Sequence, residues 1–188
     1  VAASIIIKNG SSIYIEDSSL LQIYAPLTNN GIYLSDTSNL FNNGTIRIGN
    51  LKPINDANAI RIDSMSQFLN QDSGKIFIDS MAFSFSQFQG IHIFFFFFNF
   101  YNQGKIYLGK LNNLAQGIGV KDGGEFINDT TGYIYAENVS TAISIDGSLS
   151  TFKNYNYIGL GTAIKKVGTG IKITSGLFNN YGLSEIQI

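Results

Sequence analysis

The feature that most constrains the fold is a segment of about 27 residues that recurs along the whole chain. Two copies are "GIYLSDTSNLFNNGTIRIG" from Gly31 and "AIRIDSMSQFLNQDSGKIFID" from Ala59. Further copies open at Gly90, Gly117, Ala142 and Gly170, and a shortened one precedes them at Ser12. Each copy reads G-I-x-I, a polar turn, apolar-x-Asn, a glycine-containing turn and a second I-x-I. Such periodicity predicts one structural unit stacked repeatedly on itself.

Within each copy, apolar residues alternate with other residues over short stretches. Alternation of this length is typical of half-buried strands. No segment of ten or more residues shows the apolar spacing of a helix, so we predict an all-β chain. The alternating pairs are Ile32/Leu34, Ile46/Ile48, Ile60/Ile62, Ile76/Ile78, Ile106/Leu108, Ile171/Ile173 and Ile186/Ile188.

Three architectures accommodate repeated short strands: a propeller, a sandwich of hairpins and a solenoid. Propeller blades need about 40 or more residues, and hairpins place two-residue turns between successive strands. Neither matches these copies. We therefore predict a right-handed parallel β-helix, or β-solenoid, of about six turns with roughly 27 residues per turn. It would span residues 1–188 as a single domain.

An asparagine recurs after the central apolar residue of each copy. At a corner between strands, its amide can satisfy backbone groups of the turn and bond to the equivalent amide one coil away. We therefore predict an asparagine ladder along the solenoid. Its members would be Asn42, Asn70, Asn102, Asn128, Asn154 and Asn179.

The pattern G-I-x-I-x3-S-x-F-x-N-x-G-x-I-x-I resembles the repeat of large secreted surface proteins of Bacteroidetes bacteria, which are predicted to be β-helical and adhesin-like. The resemblance extends over essentially the whole chain. It implies an extracellular or cell-surface location in a filament, sheath or adhesin. A β-helix repeat specifies a scaffold and says little about activity.

Composition narrows the range of partners. Charged residues make up 13% of the chain and the net charge is −1, which argues against nucleic acid as a partner. No apolar segment reaches the roughly 18 to 20 residues of a membrane-spanning helix. The absence of cysteine excludes disulfides and thiolate metal sites, and a single histidine excludes sites with two imidazoles. We expect no cofactor.

Many parallel β-helices act on polysaccharides, so a column of carboxylates in such a fold has a possible catalytic meaning. A column of aspartates at one corner could bind Ca²⁺ or act as a glycosidase pair, but aspartate is also an ordinary turn residue. His92 is expected to face outward as a surface residue. We therefore predict that the protein is not an enzyme. The aspartates expected in that column are Asp36, Asp63, Asp122 and Asp146.

Outward positions of the predicted strands carry a mixture of tyrosine, lysine and arginine. Such residues are either ordinary strand-surface residues or a surface for sugars or another protein, because tyrosine suits both. The positions are Tyr33, Arg47, Arg61, Lys75, Phe77, His92, Lys105, Tyr107, Tyr133, Tyr135 and Lys172.

Phenylalanines are concentrated in two neighbouring segments, "MAFSFSQFQ" from Met81 and the run Phe94 to Phe98. The run occupies a corner that is polar in other copies. Its rings either pack on one another over an enlarged coil or form an exposed patch that docks a neighbouring subunit. The candidate interface residues are Phe83, Phe85, Phe94, Phe96 and Phe98.

The chain begins and ends with strand-like segments, so we expect no polar cap at either end. End-to-end stacking would then use Ile5 and Ile7 on one side and Ile186 and Ile188 on the other. The sequence favours a structural subunit that assembles with itself into an extracellular filament. The alternatives are a segment of a large adhesin that binds glycan or protein and, less favoured, a polysaccharide lyase or hydrolase.

Overall fold

The computed structural model describes residues 5–24, 30–49, 58–63, 65–79, 90–94, 99–110 and 114–188. These residues form 21 strands, numbered β1 to β21 in chain order, and contain no helix. Every third strand belongs to the same sheet, so three parallel sheets of seven strands enclose one core. The predicted all-β parallel solenoid of about six turns is confirmed.

Each sheet contains one strand from every coil. The first sheet consists of β1 (Ile5–Ile7), β4 (Ile32–Leu34), β7 (Ile60–Ile62), β10 (Ile91–Phe94), β13 (Leu114–Lys121), β16 (Val139–Asp146) and β19 (Thr169–Ile173). The second consists of β2 (Ser12–Ile15), β5 (Asn39–Asn42), β8 (Gln67–Asn70), β11 (Asn99–Asn102), β14 (Glu125–Asn128), β17 (Thr151–Asn154) and β20 (Leu177–Asn180). The third consists of β3 (Leu20–Ile23), β6 (Thr45–Ile48), β9 (Lys75–Ile78), β12 (Lys105–Leu108), β15 (Tyr133–Ala136), β18 (Tyr157–Leu160) and β21 (Glu185–Gln187).

Register explains how the repeat becomes a core. Partners in the first sheet lie 25 to 31 residues apart, as in Ile118 with Ile143 and Ile60 with Ile91. Because side chains alternate between the two faces of a strand, this register places each inward apolar residue on its equivalent in the next coil. The inward residues of the middle coils are fully buried.

The second sheet adds a column of stacked phenylalanines to the core. Phe68, Phe100, Phe126 and Phe152 are each completely buried, and neighbouring ring centroids lie 4.6–4.9 Å apart with nearly parallel planes. Phe178 continues the column at 5.2 Å from Phe152 and is half-buried. Since the strand spacing is about 4.8 Å, these rings stack without distorting the sheet.

Candidate functional site

Asparagine side chains form a continuous hydrogen-bonded ladder beside the phenylalanine column. Each Nδ2 donates to Oδ1 of the next asparagine at 2.7–2.8 Å. The bonds run from Asn42 through Asn70, Asn102, Asn128 and Asn154 to Asn180. Apart from the Oδ1 of Asn42, the buried amide groups of the ladder are thereby satisfied, in a place where an unpaired amide would cost about 1–3 kcal/mol.

The predicted last member of the ladder, Asn179, is wrong. Phe178 and Asn180 face inward on β20, so Asn179 lies on the outer face and pairs in register with Lys153. Two asparagines are adjacent here, so the apolar-x-Asn spacing fits both Leu177 with Asn179 and Phe178 with Asn180. The apolar-x-Asn spacing applied to Phe178 identifies the correct residue.

The four isoleucines predicted for end stacking differ in exposure. Ile7 is buried, and Ile5 and Ile186 are half-buried, whereas Ile188 is 97% exposed. Their role in a contact between copies stays a prediction. No described strand pairs with the outer edges of β19, β20 and β21.

Of the five phenylalanines in the candidate interface, only Phe94 belongs to the described residues. Phe83, Phe85, Phe96 and Phe98 lie outside them. Phe94 is half-buried on the outer side of the first sheet, with its ring centroid 5.5 Å from the His92 ring. The Arg61 guanidinium lies over the Phe94 ring, 5.7 Å from its centroid.

His92 corrects the expectation of a surface histidine. It lies on the outer face as its place in β10 requires, yet only 8% of it is exposed because Phe94 packs against its ring. Neither ring nitrogen has a hydrogen-bond partner among the described residues. Burial lowers the pKa of His92 to about 3, and the nearby charges of Lys121 and Arg61 act in the same direction.

The predicted aspartate column does not form. Lys121 pairs with Asp146 and with Phe94, and Asp122 lies one residue further along the chain. Asp63 is buried and accepts from Nε of Arg61 at 2.8 Å. Burial raises the pKa of Asp63, and Arg61 partly opposes that rise. No cluster of three or more metal-ligating side chains occurs in the described part of the chain.

The outer face of the third sheet carries a regular arrangement of aromatic and basic side chains. One outward column contains Thr45, Lys75, Lys105, Tyr133 and Tyr157. The other contains Arg47, Phe77, Tyr107, Tyr135 and Gly159. We refer to these residues, together with Lys110 directly beside them, as the basic-aromatic face.

Rings in the second of these columns stack along the solenoid axis. The centroids of Phe77 and Tyr107 lie 4.7 Å apart, and those of Tyr107 and Tyr135 lie 5.1 Å apart. The Arg47 guanidinium continues the stack 4.7 Å from the Phe77 centroid. Because the rings cover one another, the column presents mainly their edges and hydroxyl groups to solvent.

At Gly159 the second column lacks a side chain, and the ring of Tyr157 from the first column takes the place next to Tyr135. A Cβ on Gly159 would lie 2.9 Å from the ring of Tyr157, so this ring occupies the space above the glycine. Its centroid lies 5.6 Å from that of Tyr135, and its hydroxyl donates to Oε1 of Gln187. Tyr157 and Lys110 were not among the outward residues predicted from sequence. The alignment of "YIGL" with "YIYA" identifies Tyr157, whereas Lys110 lies beyond the end of its strand.

Charge is distributed unevenly over this surface. Arg47, Lys75, Lys105 and Lys110 form no ion pair with a described residue. The outward positions of β6, β9, β12, β15 and β18 hold no aspartate or glutamate. Burial raises the pKa of Tyr135, and the three neighbouring tyrosines raise it further, so its hydroxyl stays protonated at neutral pH.

No family model, curated protein sequence or solved structure matches this chain. None of the described residues belongs to a helix long and apolar enough to cross a membrane.

Proposed function

We propose that the protein is a structural subunit whose coils stack end to end into an extracellular filament. The observation that supports the proposal is the exposure of the core columns on the coil formed by β19, β20 and β21. Phe152 and Ile158 are completely buried, whereas their partners one coil further, Phe178 and Ile186, are half-buried. A further coil would remove that apolar surface from water.

A second copy supplies a suitable coil. The coil at the other end of the strand order is formed by β1, β2 and β3. Its inward residues Ile5, Ile13 and Leu21 are half-buried, and they occupy the positions equivalent to the inward residues of β19, β20 and β21. Placed on β19–β21 in the same register, they would continue the apolar columns of all three sheets. The two contacting surfaces are different, so the contact repeats without closing and generates a filament.

Unpaired strand edges support the same assignment. Three strands on each side of such a contact would exchange backbone hydrogen bonds at a spacing of about 4.8 Å. Exposed edges of this kind are otherwise templates for uncontrolled pairing. The extracellular location rests on the resemblance of the repeat pattern to secreted surface proteins. The proposal assigns the protein no catalytic role.

Electron microscopy and sedimentation velocity of the purified chain over a range of concentrations test the proposal. We expect filaments one solenoid wide that grow longer as concentration rises. Ile186→Lys should suppress them, because it places a charge in the contact. Glu185→Lys, which changes the outward neighbour on the same strand, should leave them intact. A monodisperse monomer at high concentration, or equal effects of the two variants, would overturn the filament assignment.

A further inference from the structure

We propose that the basic-aromatic face binds a linear anionic polysaccharide laid along the solenoid axis. The inference is independent of filament formation, since the face lies on the side of the rod and is complete within one copy. Four of the chain's 12 lysines and arginines lie on this face, although the net charge of the chain is −1.

Charge complementarity is the first argument. The four cations of the face, Arg47, Lys75, Lys105 and Lys110, have no carboxylate partner among the described residues. Among the nearby carboxylates, Glu137 is neutralised by Lys165, Asp129 accepts from the neutral Gln103, and Glu185, which continues the first column on β21, lies three coils beyond Lys105. An anionic ligand would therefore meet uncompensated positive charge. A second copy of the chain would present the same positive face, so direct self-association through it is disfavoured.

Spacing is the second argument. Lys75 and Lys105 are register partners in adjacent coils, as are Tyr107 and Tyr135 in the second column, so the members of each pair lie about 4.8 Å apart along the axis. One sugar of an extended 1,4-linked polysaccharide advances by a similar distance. An extended acidic peptide presents side chains on one face only roughly every 6.6 Å. The coil repeat therefore favours a polysaccharide.

Hydrogen-bonding groups are the third argument. The hydroxyls of Tyr107, Tyr133 and Tyr135 bond to no described residue, and all three side chains are half-buried, which restricts their motion. Lysine over a tyrosine ring holds the cations in place: Lys110 lies 4.9 Å from the Tyr107 centroid and Lys105 lies 5.9 Å from that of Tyr133. Ordered hydroxyls and ammonium groups suit sugar hydroxyls and carboxylates.

The stacked geometry also specifies the mode of binding. Faces of Phe77, Tyr107 and Tyr135 are covered by one another, so broad stacking of sugars on these rings is not available. Recognition would come from ring edges, hydroxyls and cations. A neutral glycan would then bind much more weakly than an acidic one of the same length.

Affinity measurements with defined probes test this inference. The probes are an oligogalacturonate of about ten sugars, a neutral oligosaccharide of equal length, single-stranded DNA and polyglutamate, each titrated at low and physiological salt. We expect the oligogalacturonate to bind most tightly and to weaken as salt increases. Tighter binding of DNA or polyglutamate would overturn the assignment to polysaccharide, as would equal binding of the neutral sugar. Failure of every probe to bind at low salt would also overturn it.

Charge-reversal variants locate the site. Lys75→Glu with Lys105→Glu should weaken oligogalacturonate binding by at least about tenfold, equivalent to about 1.4 kcal/mol. Lys8→Glu with Lys172→Glu makes the same change in net charge away from this face, because Lys8 directly follows β1 and Lys172 belongs to β19 of the first sheet. This control should leave the oligogalacturonate affinity nearly unchanged. Equal losses in the two double variants would show that net charge alone attracts the probe and would overturn the site. Circular dichroism on each variant confirms that the solenoid is retained.

The hydroxyl groups are tested separately. Tyr107→Phe with Tyr135→Phe keeps the stacked rings and the charge but removes two hydrogen-bonding groups. We expect a loss of about three- to tenfold in oligogalacturonate affinity with an unchanged salt dependence. Unchanged affinity would overturn the role given to the tyrosines.

Discussion

Ile15 pairs in register with Asn42, and the buried Oδ1 of that asparagine accepts no hydrogen bond from a described residue. Every later asparagine of the ladder receives a bond from the coil before it. At Asn42 the preceding coil offers an aliphatic side chain instead. The ladder therefore begins with an unsatisfied acceptor in an otherwise satisfied column.

Introducing asparagine at this position should extend the ladder. Ile15→Asn loses apolar burial of about 1.5–3 kcal/mol, but its amide can donate to Asn42 and recover about 1–3 kcal/mol. We expect a smaller loss of stability than for Ile7→Asn, which buries an amide without a ladder partner. Chemical denaturation of both variants measures the difference, and equal losses would contradict the explanation.

Removing a ladder residue from the middle of the solenoid should be strongly destabilising. Asn102→Ala leaves the Nδ2 of Asn70 and the Oδ1 of Asn128 without their ladder partners. We expect a loss of about 2–5 kcal/mol in the free energy of unfolding. Asn179→Ala is the matched control, because this outward asparagine lies beside the ladder and should cost less than about 0.5 kcal/mol. A large effect of the control would indicate that our correction of the ladder is mistaken.

Glycine is required at position 74, in the turn between β8 and β9 that lies beside the asparagine ladder. A Cβ on Gly74 would overlap the carbonyl oxygen of Asn42 and the Oδ1 of Asn70. Gly74→Ala should therefore lower stability by several kcal/mol, on the order of 3. Gly182→Ala meets no atom within 4 Å and should cost only about 1–2 kcal/mol for its φ of +59°. Thermal unfolding monitored by circular dichroism compares the two, and similar midpoints would refute the steric account.

Buried His92 makes stability depend on pH. Its pKa is about 3 in the folded chain and about 6.5 when unfolded, so acid favours the unfolded state, which binds the proton. The contribution of His92 to the free energy of unfolding is complete above about pH 6.5 and declines as the pH falls towards 3. Between pH 6.0 and 5.0 we expect a loss of about 1 kcal/mol. His92→Leu should lack that loss, as measured by urea denaturation at the two pH values. An identical slope in the variant would show that His92 is not its source.

Much of the fold follows from local patterns in the chain. Alternation in Ile46/Ile48 and its equivalents predicts strands, and the recurrence of the unit predicts coils in register, because each depends on neighbouring residues or on the repeat itself. The recurrent apolar-x-Asn spacing predicts the ladder from Asn42 through Asn154 on the same basis. At Asn179 and Asn180 the local pattern was ambiguous, and only the pairing of Phe178 with Phe152 resolves it.

Strand periodicity, the stacking unit and most of the ladder follow from the amino-acid sequence, because period-two alternation and a fixed repeat are properties of one coil. Only the folded arrangement brings Arg61 of β7 and Lys121 of β13 close to His92 and turns the Tyr157 ring towards Tyr135 of one neighbouring coil and Gln187 of the other. It also decided the separation of Asp122 from Asp146. These outcomes depend on which residues of adjacent coils meet and on the room each side chain leaves its neighbour, and neither can be computed from a single coil.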